Sequence, residues 1–234
     1  MRKNRLECIF SLVPKGGIIA DIGTDHGFVP FQLLYENICE KVIATDISKP
    51  SLEKSRDLLK EYIYRQRAEL RLGDGLKVLE PHEVDTLIIA GMGGVLISQL
   101  LEESPSITKS IKTFILQPMQ GSEELRKYLW SHGFQIIHEE IAIEKNHYYE
   151  IMVVRHGFQE PSHPLFSKTL MENLSSEVDS YIIFKIKEYE NILKHVHEMK
   201  DGRKKEDKIR ELKENIDNCQ RWLLWRKQEK FING

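Results

Sequence analysis

The chain has 234 residues, with 34 Lys and Arg against 36 Asp and Glu, a formal net charge of -2, 41% hydrophobic and 30% charged residues. That balance excludes general disorder and excludes a nucleic-acid binder that works through overall basic charge; a local basic patch is still compatible with it. No apolar run reaches the ~18 residues that a membrane span needs, and Cys8, Cys39 and Cys219 are odd in number and widely spaced, with no CxxC, so a reducing, cytoplasmic setting is expected.

The amino-terminal stretch is basic, and its apolar part is too short and interrupted for a signal peptide. Leu6, Ile9, Phe10 and Val13 lie at helical spacing, and Pro14 ends that helix. Ile18 to Asp21 reads as a short buried strand, followed by the loop Gly23-Thr24-Asp25-His26-Gly27 and a helix from Phe28 to Glu36. Val42 to Asp46 is a second strand, and Pro50 opens a helix that runs to about Tyr64. Leu70 to Leu72 forms a third strand, broken by Gly73-Asp74-Gly75. Asp85 to Ala90 is the most plainly buried strand; Gly91-Met92-Gly93-Gly94 is expected to turn it into a helix from Val95 to Leu101. Phe114 to Gln117 is the fifth strand and Ser122 to His132 the next helix. Short apolar strands alternating with helices predict an α/β, doubly wound, Rossmann-like parallel sheet. Phe134 to Ile143 and Tyr148 to Val154 then leave no room for a helix between them and read as an antiparallel hairpin.

Residues 1–157 are expected to form this sheet domain, and residues 158–234 a helical coiled-coil hairpin. Leu174, Val178, Ile182, Ile186, Tyr189, Leu193 and Val196 recur at steps of three and four, and so do Ile209, Leu212, Ile216, Cys219 and Leu223 beyond Asp201-Gly202. Trp222 and Trp225 are expected to pack in a core. His195 and His197 lie two apart on a helix and point differently, so no metal site is expected.

An open parallel sheet binds ligands at the carboxyl ends of its strands, and four features converge there. Asp21, Gly23, Thr24, Asp25 and Gly27 belong to a loop whose glycines let the backbone approach a ligand closely, and the amides at the start of the following helix suit a carboxylate. Asp46, with Ile47 beside it, ends the second strand, where an acid accepts from ribose hydroxyls. Gly73, Asp74 and Gly75 suit a flat ring carrying an amino group. Ala90, Gly91, Met92 and Gly93 would keep the floor open at the next strand end. The loop lacks GxGxxG and the chain lacks GxxxxGK, which disfavours nicotinamide and ATP. A five-unit sheet followed by a hairpin is the order of an S-adenosylmethionine (SAM) methyltransferase sheet, so SAM is the expected cofactor.

The runs LeuValProLysGly (12–16), AlaAspIleGlyThrAspHisGly (20–27), ArgLeuGlyAspGlyLeu (71–76), IleAlaGlyMetGlyGly (89–94), GlnPro (117–118) and TyrGlu (149–150) resemble the bacterial tRNA adenine-22 N1-methyltransferase family. The resemblance covers residues 5 to about 156. It implies methyl transfer from SAM to N1 of adenine 22 in tRNA, with Asp21, Asp25, His26, Met92, Gln117 and Pro118 around the reacting base. Family members continue GlnProAsn, whereas this chain has Met119, which lacks the amide an Asn would offer to a base edge.

Asp21 or Asp25 would stabilise the cation that methylation leaves on the ring, and His26 would touch the acceptor or cap the following helix. No cysteine follows the fourth or fifth strand, which argues against a covalent cytosine mechanism. tRNA is the expected partner, with no DNA, no membrane, and a monomeric chain. Lys200, Arg203, Lys204, Lys205, Lys208 and Arg210 at the tail's turn, with Lys109, Lys112, Arg126 and Lys127 on the sheet domain, are candidate phosphate contacts. Alternatives are a methyltransferase acting on another RNA or a small molecule, a relative with weakened catalysis, and a scaffold acting through its helical tail.

Overall fold

A computed structural model describes residues 4–198 and 202–233. The chain divides into two compact units, Met1–Thr169 and Leu170–Gly234. The first is built on a seven-stranded sheet of order β3-β2-β1-β4-β5-β7-β6. Strands β1 (Ile18–Ile22), β2 (Lys41–Asp46), β3 (Ala68–Leu72), β4 (Thr86–Gly93) and β5 (Thr113–Gln120) run parallel. The hairpin β6 (Phe134–Glu144) and β7 (His147–His156) is antiparallel, and β7 is inserted beside β5.

Alternation along the central strands divides the core in two. Ala20, Leu87, Ile89, Phe114 and Leu116 face one side, under α4 (Gly94–Glu103), α5 (Pro105–Ser110) and α6 (Ser122–Ser131). Ile19, Ile88 and Ile115 face the other, against α1 (Arg5–Leu12), α2 (Phe28–Tyr35) and α3 (Lys49–Tyr64). Successive strand residues point to opposite faces, so strands covered on both sides read as continuous apolar runs. Helix α1 starts at a capping box, with the Asn4 side chain accepting from the Glu7 amide and the Glu7 carboxylate accepting from the Asn4 amide.

Three features depart from the sequence expectations. Strand β4 does not end at Ala90: it stays paired with β5 as far as Gly93, with register shifts around Met92. The irregular pairing satisfies backbone groups that a free turn would expose. The short helix α5 was not foreseen, being a single Pro-started segment of six residues. Residues 158–169 stay with the sheet unit, where Gln159 Oε1 accepts from the Ile136 amide at 2.8 Å and from Trp130 Nε1 at 3.2 Å.

Helix α4 can leave the sheet only because Gly94 has no side chain. A Cβ there would lie 2.1 Å from the Gly121 carbonyl oxygen, a backbone atom that cannot rotate away. Gly94→Ala is expected to destabilise the chain by about 1–3 kcal/mol, as overpacking of a tight contact does. Thermal unfolding checks this; an unchanged midpoint would show that α4 shifts freely.

The second unit comprises α7 (Lys168–Glu172, which begins in the first unit), α8 (Ser176–His197) and α9 (Arg203–Asn233). Val178, Ile182, Tyr189, Val196, Leu212 and Cys219 are buried, while Leu174, Ile186, Leu193, Ile209, Ile216 and Leu223 are half-buried. Arg226 is fully buried: Nε donates to Asp179 at 2.7 Å, and the remaining nitrogens donate to the carbonyls of Met171, Asn173 and Ser175. That inward arginine turns its neighbour outward, so Trp225 is 39% exposed rather than packed in a core.

Candidate active site

The site forms at the carboxyl ends of the five parallel strands, β1 to β5. Two adjoining cavities open there, one of about 500 Å³ and one of about 320 Å³. Gly23, Ala90 and Gly91 line both.

The smaller cavity takes Asp46, Ile47, Gly73, Asp74, Gly75 and Met92 of the residues singled out in the sequence, and adds Thr45, Leu96 and Leu100. The Thr45 hydroxyl is buried without a hydrogen-bond partner, an uncompensated polar atom of the kind a ligand satisfies. Asp46 already accepts from the Asp25 amide at 3.0 Å and the Ser48 amide at 2.8 Å, one per carboxylate oxygen. Each oxygen keeps a lone pair for a further donor. Asp74 is exposed and pairs with Lys77 at 2.5 Å.

The larger cavity takes Asp21, Thr24, Asp25 and His26. Sequence reasoning missed most of its remaining wall: Arg5, Phe28, Glu144, Lys145, His147 and Tyr149. Only Tyr149, in the TyrGlu run, had a sequence signal. The others arrive from α1, the first turn of α2 and the hairpin tip, beyond the reach of local spacing. Met119, 54% exposed, also lines this cavity.

Asp21 is 3% exposed. Burial raises its pKa from 3.8 to about 7; the Thr24 hydroxyl opposes the shift without a well-formed hydrogen bond, and the charge of Asp46 adds to it. The loop beyond it is pinned to β2, with the Gly23 and Thr24 amides both donating to the Thr45 carbonyl at 2.9 Å. Those two amides are therefore committed to β2. Asp25 has φ 51 and holds His26 Nδ1 at 2.8 Å, while His26 Nε2 lies 3.3 Å from Lys54 Nζ. These partners place the imidazole proton on Nδ1, with Nε2 accepting. His26 does not cap α2; the cap is Gly27 in a left-handed conformation.

The glycines serve packing more than ligand approach. A Cβ on Gly23 would meet Met92 Cε at 2.3 Å, on Gly73 Val78 Cγ1 at 2.1 Å, and on Gly75 Leu100 Cδ2 at 2.5 Å. Gly91 alone of the shared residues has φ +84 with no atom nearer than Arg5 Nη1 at 3.6 Å. Gly27, Gly93, Gln117 and Pro118 line neither cavity. Gln117 is fully buried behind the wall, accepting from Arg5 Nη1 at 2.8 Å and donating to the Pro118 carbonyl.

The basic candidates divide. Arg126 is fully buried against Glu139 and Glu150 and is no surface contact; Lys112 pairs with Asp85 at 2.6 Å. Lys109 and Lys127 are exposed. In the tail, Lys208 pairs with Glu211 and Arg210 with Asp207, Arg203 and Lys204 are exposed, and Lys200 lies outside the described residues. Among the described residues no group of three or more His, Cys, Asp or Glu is arranged to hold a metal ion, and no helix is long and apolar enough to cross a membrane.

A methyltransferase-domain family model matches residues 2–152. With the sheet order and the strand-end cavities, this defines a Rossmann-like, class I methyltransferase domain. The chain is 32% identical over 154 residues to the tRNA (adenine(22)-N(1))-methyltransferase of Bacillus subtilis, covering 65% of this chain and 64% of that enzyme, slightly under two thirds of its length. It is 30% identical over 156 residues to a Mycoplasma pneumoniae protein assigned as a tRNA methyltransferase, covering 65% and 70%. A crystal structure of a Streptococcus pneumoniae protein assigned as a tRNA (m1A22) methyltransferase, in complex with S-adenosyl-L-methionine, matches with TM-score 0.83 at 28% identity, over 95% of this chain and 100% of that one. The chain belongs to the bacterial tRNA (adenine(22)-N1)-methyltransferase family.

Proposed function

We propose that this chain transfers a methyl group from SAM to N1 of adenine 22 in tRNA. The observation that carries the reading is the shared Gly23, Ala90 and Gly91 wall between two cavities, one suited to a nucleoside cofactor and one to an acceptor base. The smaller cavity fits SAM by its donor set: an orphaned Thr45 hydroxyl, the carboxylates of Asp46 and Asp74, and the apolar walls of Ile47 and Leu96. Asp46 would accept from the ribose hydroxyls and Asp74 from the adenine amino group.

When bound, SAM supplies an electrophilic methyl group on a sulfonium. Adenine N1 carries an in-plane lone pair, so the protein's part is alignment and exclusion of water. Phe28, Tyr149 and Met119 supply the apolar surface on which a base can lie. With methionine at position 119, that position holds the base by packing rather than by an amide hydrogen bond. Asp21, ionised, faces the positive charge that moves to the adenine ring, and Asp25 lies on the same cavity wall. Gln117 and Pro118 act from behind that wall.

The chain works in the cytoplasm as a monomer in this reading; the absence of disulfides among Cys8, Cys39 and Cys219 supports a reducing setting. The test uses unmodified tRNA with adenine at position 22, beside the same tRNA with guanine there, labelled SAM and nucleoside digestion. N1-methyladenosine is expected only from the first. SAM binding without transfer to either would overturn the substrate and favour another RNA or a small-molecule acceptor.

A further inference from the structure

Arg5 is the first residue of α1 and is distant in sequence from every motif of the site. Its Nη1 donates to the buried Gln117 Oε1 at 2.8 Å, and its guanidinium lies 5.6 Å from the centre of the Tyr149 ring. The same nitrogen lies over the open side of Gly91, where the two cavities meet. One hydrogen bond and one aromatic face hold the group in a fixed place, yet among the described residues no carboxylate pairs with it and four of its five N–H donors have no acceptor. An unpaired planar fork in a cavity is complementary to a phosphate.

The surrounding charges are segregated in a way that suits this. Asp21, Asp25 and Glu144 line the same cavity, but none is hydrogen-bonded to Arg5. Lys145 sits on the rim with φ 48, followed by Asn146 with φ 66, in a tight hairpin turn that keeps this basic side chain beside the opening. Positive φ at both residues is what a two-residue hairpin turn of this hand requires.

We propose that Arg5 is the anion-receiving residue of the acceptor cavity, its guanidinium taking a phosphodiester oxygen of the strand next to the target base while the carboxylates face the base. This rests on the tRNA reading given above. Arg5 would thereby set how deeply the nucleotide enters, as a positioning residue rather than a participant in methyl transfer.

The test compares wild type, Arg5→Ala and Arg5→Lys, with Lys60→Ala as a control for loss of an exposed charge on α3. Steady-state kinetics and direct fluorescence titration of tRNA are measured across a salt series, with SAM affinity and unfolding temperature alongside. For Arg5→Ala, KM for tRNA is expected to rise ~10-fold or more, as for a lost charge-assisted hydrogen bond. Its log–log salt slope should become shallower by about 0.7–0.9, the signature of one lost phosphate contact, with SAM affinity within twofold. Arg5→Lys should keep the slope but not the full affinity, and Lys60→Ala should change neither. An unchanged slope in Arg5→Ala, or a loss that tracks SAM affinity and unfolding temperature, would overturn the proposal and make Arg5 a tie between α1 and Gln117. If wild type binds tRNA without methylating it, the methyl-transfer reading fails while the titration slopes still decide Arg5. If wild type does not bind tRNA at all, both fail.

Discussion

At pH 8, Asp21→Asn is expected to unfold at a higher temperature than the wild-type chain while having lost most of its methyl transfer. The stability effect follows from burial. Asp21 titrates at about 7 in the folded chain against an ordinary 3.8. Between those values the unfolded chain has released a proton that the folded chain still binds. The stability associated with the protonated carboxyl is complete below pH 3.8 and is lost as pH rises through 7. A shift of about three units sets a ceiling on the order of 4 kcal/mol. Asparagine removes the titration, so the difference between variant and wild type should grow from acid to pH 8. The activity effect runs the other way. A carboxylate facing the transferred positive charge in a site excluded from water is worth about 10²-fold or more in rate. SAM should also bind with proton release near neutral pH in wild type, seen as a buffer-dependent heat, and without it in the variant. If both chains share one stability–pH profile, Asp21 is already ionised in the free protein and the burial argument fails.

Loss of the Arg126 side chain is expected to have the largest effect on folding. In wild type, its Nε and Nη2 donate to Glu139 Oε1 at 3.0 and 2.7 Å, Nη2 also pairs with Glu150, and Nη1 donates to the carbonyls of Pro164 and Leu165. Glu139 also accepts from Ser167. Glu139 and Glu150 are 1% and 9% exposed. Burial pushes the Glu139 pKa upward, and the Arg126 charge is the main force against that shift. Arg126→Met would leave two carboxylates in a dry interior without the guanidinium that bridges them, which costs about 3–5 kcal/mol. For a chain of this size that is a fall of roughly 10 °C in unfolding temperature. Stability should recover partly towards acid pH as the buried carboxylates take protons. Arg126→Lys should restore little, because one ammonium cannot reach acceptors on both sides of the fork. Thermal unfolding over a pH series measures all of this. Were Arg126 an RNA contact instead, its loss would change the salt dependence of tRNA binding and leave the unfolding temperature where it was.

The contrast between these residues shows where sequence information ends. Asp21 was legible because it sits at a strand end before Gly23, inside a short motif whose meaning is local. The places of Asp46 and Asp74 on the smaller cavity were legible for the same reason, Asp46 closing β2 and Asp74 lying between two glycines. Arg126 was misread as a surface contact because a charged residue on a helix is ordinarily exposed. Its partners come from β6 and β7, 13 and 24 residues away, and no local spacing announces them. Arg5 was not singled out, and its hydrogen-bond partner Gln117 lies 112 residues on.

Alternating strands and helices, the concluding hairpin and the glycine loops at successive strand ends were determined by the sequence alone. They arise from side-chain periodicity and backbone freedom, which act over a few residues. The tertiary structure decided what depends on meetings between distant segments. It extended β4 through Met92 to Gly93 against β5, committed the Gly23 and Thr24 amides to β2, and completed the larger cavity with Arg5 and the hairpin tip. It also sorted the charged side chains into buried partners such as Arg126 and Arg226 and solvated ones such as Lys127. A charge is buried only where another part of the chain supplies its counterion and hydrogen bonds, and that condition is met in three dimensions rather than along the chain.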